Sequence, residues 1–163
     1  MSKVPSISIG LPVYNGERFL KETIDSILDQ TFTDFELIIS DNASSDQTKT
    51  ICREYIIKDK RIKYFQQTNN IGFFNNYSFV LQSAVGNYFL WIAADDLLAD
   101  KEYFNKLNAA FKIPTYYGLE FKANFENNDG IYLNQEATVP TDGLYSAGVS
   151  ASLLKGFLIN KRM

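Results

Sequence analysis

With 163 residues, 45% of them hydrophobic and 21% charged, the chain has the size and composition of one globular domain with a sizeable core. A net charge of −3 gives no long-range reason to expect nucleic acid, whose phosphates demand clustered Lys and Arg. There is no histidine and one cysteine, Cys52, which excludes Ser-His-Asp and Cys-His nucleophilic schemes, His-ligated zinc and any intrachain disulfide.

The opening Met1-Ser-Lys-Val-Pro5 runs straight into a strand-like segment, so neither a signal peptide nor a membrane span is expected. Together with the lone cysteine this points to a reducing, cytoplasmic setting. Ser6 to Leu11 reads as a strand stopped by Pro12. Leu20, Ile24, Ile27 and Leu28 then fall at helical spacing. Phe35 to Ser40 is an apolar run suited to a strand covered on both faces. Asp41-Asn-Ala-Ser-Ser45 is turn chemistry, and Ser44 with Gln47 resembles a capping box before a helix through Ile51, Cys52, Tyr55 and Ile56.

A third strand is expected at Ile62 to Gln66, a turn at Asn69 to Gly72, and a helix from Asn75 to Val85 ended by a left-handed cap at Gly86. Tyr88 to Ile92 is the fourth strand. A helix from Asp100 to Phe111 follows, then two short strands around the Asn127-Asn-Asp-Gly130 turn. Beyond Asn134 the periodicity is weak. Leu153 to Ile159, followed by Lys161 and Arg162, could make peripheral membrane contact, although ordinary packing explains it more simply.

Alternating strands and helices predict an α/β fold: a mostly parallel central sheet with helices on both faces. Ligands of such sheets bind outside the carboxyl ends of the strands, where the loops at 12–16, 41–45, 68–72 and 93–96 fall. Asp95 and Asp96 are hard oxygen ligands suited to Mg²⁺ or Mn²⁺ on a diphosphate, or else solvated loop acids. Asp41 could accept from a base or ribose, or close an Asx turn. Pro12, Tyr14 and Asn15 could wall a base, or form a plain βα turn. Asn69, Asn70 and Gly72 could be a turn only, and Asn75 and Asn76 helix caps or phosphate ligands. Arg18, Lys21, Arg53 and Lys58 read as solvated faces, and Cys52 as core.

Three stretches, SIGLPVYNGERFLKETIDSILDQTFTDFELIISDNASSDQT, NNIGFFNNY and GNYFLWIAADDLLADKEYFNKL, taken in this order and spacing, resemble the family 2 glycosyltransferases with the GT-A fold. The resemblance runs from about Ser6 to Phe111. It implies a Rossmann-like sandwich and an inverting transfer from a UDP- or dTDP-linked sugar to an acceptor hydroxyl, with bacterial surface polysaccharide synthesis at the inner face of the membrane as the expected setting. By this likeness Pro12, Tyr14, Asn15 and Asp41 hold the nucleoside, Asn70 and Gly72 lie near base and ribose, and Asp95 and Asp96 bind ribose and the divalent cation. Ala93 stands where many members carry a further acid. Residues 1–112 correspond to the donor-binding region and 113–163 to an extension, expected to be a truncated acceptor region. No base stands out among Glu126, Asp129, Glu136 and Asp142. The acceptor would be a carbohydrate or a lipid-linked group. A non-catalytic nucleotide-sugar-binding domain is the alternative; a nucleotidyltransferase is disfavoured because Leu11-Pro-Val-Tyr-Asn-Gly16 lacks the charge to hold a triphosphate.

Overall fold

The computed structural model describes residues 3–110 and the short strands at 124–126, 132–134 and 158–160. Strands β1 (Ile7–Val13), β2 (Phe35–Asp41), β3 (Ile62–Gln66) and β4 (Tyr88–Trp91) alternate with helices α1 (Leu20–Leu28), α2 (Thr48–Lys58) and α3 (Phe73–Ser83), and α4 (Tyr103–Ala110) follows. The four strands are mutually parallel in the order β3-β2-β1-β4. On the β4 edge β7 (Leu158–Asn160) adds an antiparallel strand in the segment where periodicity is weakest. β5 (Asn124–Glu126) and β6 (Tyr132–Asn134) pair antiparallel, as the hairpin signal predicts; the turn between them lies outside the described residues, as does Phe111. No helix among the described residues is long and apolar enough to cross a membrane.

β1 explains the layering. It lies between β2 and β4, and all seven of its residues are buried. Side chains alternate across a strand, so Ile7, Ile9, Leu11 and Val13 join Leu37, Ile39, Leu90 and Ile92 in one core with α1, α2 and α4. Ile38 and Phe89 face the other way and pack against Val80 and Ala84 at α3. Helices therefore cover both faces, as expected. Cys52 is core, its thiol pushed up to about 12 by burial and by the nearby Asp41.

Three local expectations are corrected. Pro12 does not stop β1, which continues through it to Val13 in register with Asp41. The Gly10 carbonyl points toward β4, accepting from the Ile92 amide at 3.0 Å. Pro12, two residues on, faces the same side after β4 has ended, so its missing N–H leaves no ladder bond unmade. Gly86 is no left-handed cap, since α3 ends at Ser83 with Ala84 extended, and Gly86 is absent from the positive-φ positions. A Cβ on Gly86 would stand 2.6 Å from Ser8 Oγ and 2.8 Å from Ser8 N, so close passage over β1 is what demands glycine. Ser44 and Gln47 form no capping box, because the Gln47 amide is taken by Glu17 Oε2 and Ser44 Oγ accepts from the Asn15 amide of the β1–α1 loop.

A buried carboxylate ties the amino-terminal half of the sheet together. Glu36 on β2 accepts from the Ser8 hydroxyl of β1, from the Val85 amide at 2.9 Å and from Lys63 of β3 at 2.7 Å. Burial alone would raise its pKa, but Lys63, Ser8 and Val85 outweigh that and hold it below its ordinary 4.5. A carboxyl with a depressed folded-state pKa contributes stability above its unfolded value, and that contribution fades as pH falls through the folded value. Acid unfolding of Glu36→Gln should accordingly show a shallower loss of stability below pH 4.5 than the native chain, read from denaturant midpoints across pH. Gly86→Ala should cost about 1–3 kcal/mol by overpacking against Ser8, read from the same midpoints.

Candidate functional site

The carboxyl ends of β1, β2 and β4 open into a cleft of about 650 Å³, within the range of small-molecule sites. Its lining includes Pro12, Tyr14, Asn15 and Arg18 from the first loop, Asn42 and Asn70 from the second and third, Phe73, Asn76 and Tyr77 from α3, and Ala93, Ala94 and Asp95 after β4.

The loops stand because polar side chains satisfy each other's backbones. Asn15 takes a left-handed φ of 51°, tolerable for Asn. From there its amide donates to Ser44 Oγ at 2.8 Å and its Oδ1 accepts from the Ser45 amide at 2.9 Å. Gly16 N donates to Thr48 Oγ1, Glu17 N to Asp46 Oδ2, and the Gln47 amide to Glu17 Oε2. The first two loops are thus bolted together at the start of α2. Asn42 makes the next link: its Nδ2 donates to Asn70 Oδ1 at 2.9 Å and its Oδ1 accepts from the Ile71 amide at 2.8 Å. Asn70 Oδ1 also takes the Gly72 amide, and Gly72, at φ 84°, turns the chain into α3.

Of the expected nucleoside residues, Pro12, Tyr14, Asn15 and Asn70 line the cleft, and Tyr14 is 53% exposed with its ring open to stacking. Gly72 supports the wall from behind. Asp41 is fully buried beneath it: Oδ1 accepts from the Ser44 amide at 2.8 Å and Oδ2 from the Tyr64 hydroxyl at 2.9 Å. Burial, and then Asp41, push the Tyr64 phenol well above its ordinary range. Asp95 lines the cleft and is exposed, while Asp96 turns back so that its Oδ2 accepts from the Ala93 amide at 3.3 Å. The Tyr77 phenol is pushed up to about 12 by burial, and further by the charges of Asp96 and Asp95. Among the described residues no group of three or more His, Cys, Asp or Glu gathers as a metal cage. Glu126 lies on β5, and Asp129, Glu136 and Asp142 fall outside the described residues.

Sequence patterns misplace other residues. Asn76 is neither cap nor phosphate ligand, because α3 starts earlier, at Phe73. Nearly buried, it accepts from the Ser40 hydroxyl at 2.6 Å and donates to the Ser40 carbonyl at 3.0 Å, locking α3 to β2. Arg18, though exposed, is part of the cleft wall, its guanidinium 4.7 Å from the centroid of the Phe19 ring. Asn42, Phe73 and Tyr77 carried no signal of a site beyond lying at or near expected strand-end loops.

A family model described as glycosyl transferase family 2 matches residues 8–157. The chain is 34% identical over 109 residues to an uncharacterized glycosyltransferase of Rickettsia typhi, covering 67% of this chain and 33% of that protein. It is 37% identical over 105 residues to one of Haemophilus influenzae, covering 64% and 42%. The chain therefore spans less than half the length of these curated relatives. Among solved structures, S. aureus TarS 1-349 in complex with UDP-GlcNAc superposes with a TM-score of 0.61 at 29% identity, over 69% of this chain and 32% of that one. A mannosyltransferase of Pyrobaculum calidifontis in complex with GDP-Man and Mn²⁺ gives 0.61 at 22% identity over 72% and 35%, a likeness of fold.

Asn42→Ala removes both bonds that hold the third loop and leaves the Ile71 amide without its acceptor. It should cost about 1–3 kcal/mol and speed hydrogen exchange at Ile71 and Gly72 while leaving β1 amides protected.

Proposed function

The chain belongs to glycosyl transferase family 2, and on that premise we propose that its cleft binds the nucleoside diphosphate of a sugar donor for inverting transfer to an acceptor hydroxyl. The observation that carries this is the order of groups along the carboxyl edge of its GT-A sheet. Along that edge the loop after β3 brings Asn70, the loop after β2 Asn42, the loop after β1 Tyr14 and the segment after β4 Asp95, all lining one cleft. The ring of Tyr14, with Pro12 and Asn15, takes the base, and Asn70 offers polar atoms near base and ribose. Asp41 acts from below, since both of its oxygens are engaged; direct contact with the nucleoside requires the Ser44 amide or Tyr64 hydroxyl to share an oxygen.

Asp95, with Asp96 beside it, fits a cation of the Mg²⁺ or Mn²⁺ type, which uses one or two carboxylates and completes its shell with water and substrate phosphates. What supports a cation here is the exposed position of Asp95 in the cleft wall, with Asp96 next to it in the chain. Once bound, the cation supplies charge neutralisation on the departing diphosphate. In the transfer, the acceptor oxygen bonds to the anomeric carbon from the face opposite the leaving group. The bond from that carbon to the phosphate oxygen breaks, and the nucleoside diphosphate leaves with the electron pair. The acceptor proton goes to a general base, a role assigned to none of the residues named here. We place the acceptor among carbohydrates or lipid-linked groups of the bacterial surface, met on the cytoplasmic side.

One observation favours the second reading, a domain that binds a sugar nucleotide without transferring it: Asp95 is the only acid lining the cleft among the described residues. Among the described residues a single cation, Arg18, lines the cleft, which speaks against a triphosphate-binding nucleotidyltransferase.

Thermal-shift titration with UDP, dTDP, GDP and CDP, with and without Mn²⁺, tests the donor site. At least one diphosphate should stabilise the chain, and more so with Mn²⁺; if none does, the reading fails. Asp95→Asn should lose the Mn²⁺ enhancement, at least about tenfold in affinity, and keep nucleoside binding. Binding without release of UDP from UDP-GlcNAc or other UDP-sugars would select the non-transferring alternative.

A further inference from the structure

We infer that Arg18 is a diphosphate ligand, binding the donor's phosphates from the turn that leads into α1; this rests on the donor-site reading above. Three observations converge on it. Arg18 is the only Lys or Arg lining the cleft, and Asp95 the only acid, among the described residues. The two make no ion pair with each other, and Arg18 makes no hydrogen bond or ion pair with any described residue. A site that keeps its one cation and its one anion apart is complementary to a ligand bearing both signs, such as a diphosphate that chelates a divalent cation.

The neighbouring acids do not compete for Arg18. Glu17 Oε2 is taken by the Gln47 amide, and Asp46 accepts from the Glu17 and Thr48 amides. The guanidinium lies 4.7 Å from the centroid of the Phe19 ring, a cation–π contact that uses none of its N–H donors as hydrogen bonds to carboxylates. The start of α1 is also fastened to the segment bearing the acids. Thr23 Oγ1 donates to the Ala94 carbonyl at 2.9 Å, and a Cβ on Gly16 would stand 3.6 Å from Ala94 Cβ. Arg18 is therefore carried on a turn whose distance from the Asp95 loop is fixed. A planar fork of donors suits phosphate oxygens, which it can meet bidentately. The expectation of a solvated Arg18 is met as well, since its side chain is exposed.

The test compares ligands with and without phosphates. For the 163-residue chain and Arg18→Gln, dissociation constants are measured for uridine, UDP and inorganic pyrophosphate, with Mn²⁺ present, using guanosine and GDP if the chain prefers guanine. Arg18→Gln should weaken UDP and pyrophosphate about 10- to 100-fold, as loss of a charge-assisted pair implies, and leave uridine unchanged. Arg18→Lys should recover part of the loss by keeping the charge without the fork. Equal weakening of uridine and UDP would mean that Arg18 only shapes the loop with Phe19 and would overturn the inference. Unchanged UDP binding would overturn it too and leave the donor site standing. If the native chain binds neither diphosphate, the donor-site reading falls, and Arg18's role falls with it.

Discussion

The structure depends on one constraint: β1 is buried at all seven residues and paired on both sides in a parallel ladder. Parallel pairing aligns the ends of β1, β2, β3 and β4 at one edge, so every connecting loop there ends beside the others. The loops then carry backbone amides that no ladder satisfies. Asn15, Ser44, Thr48, Asp46, Glu17, Asn42 and Asn70 satisfy them, and the cleft is the space these mutually tied loops enclose.

Carboxylates divide sharply by what surrounds them. Glu36 and Asp41 are buried and fully engaged, one under the amino-terminal part of the sheet and one under the cleft. Asp95 stands exposed in the cleft wall. A buried carboxylate without partners is costly, so those inside bind the fold together. Asp95, left toward the cleft, can meet a cation at little structural expense. The same division applies to the amides: Asn76 is sealed against Ser40, whereas Asn42 and Asn70 hold each other while facing the cleft.

Most of the strand and helix positions were legible, because the buried faces repeat at the period of the element that bears them. Ile62–Gln66 and the stripe of Leu20, Ile24 and Ile27 are examples. Residues whose meaning depends on distant neighbours were not legible. Gly86 resembles a helix terminator, and only the approach of Ser8, 78 residues away, shows why it is glycine. Pro12 resembles a strand breaker until β4 is seen to end beside it. Ser44 and Gln47 have capping-box spacing, but Asn15 and Glu17 take the groups it would use. β7 carries three residues, too few for a period to be read.

The sequence by itself determined the alternation of elements, the parallel α/β class, the edge at which polar loops collect, and the pair of acids at the end of β4. These follow from local periodicity and chain direction, which covalent geometry imposes on any few consecutive residues. Only the tertiary structure decided which polar groups in those loops remain open. It buried Asp41, spent Asn76 and Glu17 on the scaffold, and left Tyr14, Arg18 and Asp95 facing one cleft. The reason is that a hydrogen-bonding group's availability is set by partners some 30 to 70 positions away, as for Asn15 with Ser45 and Thr23 with Ala94, and no local pattern encodes that.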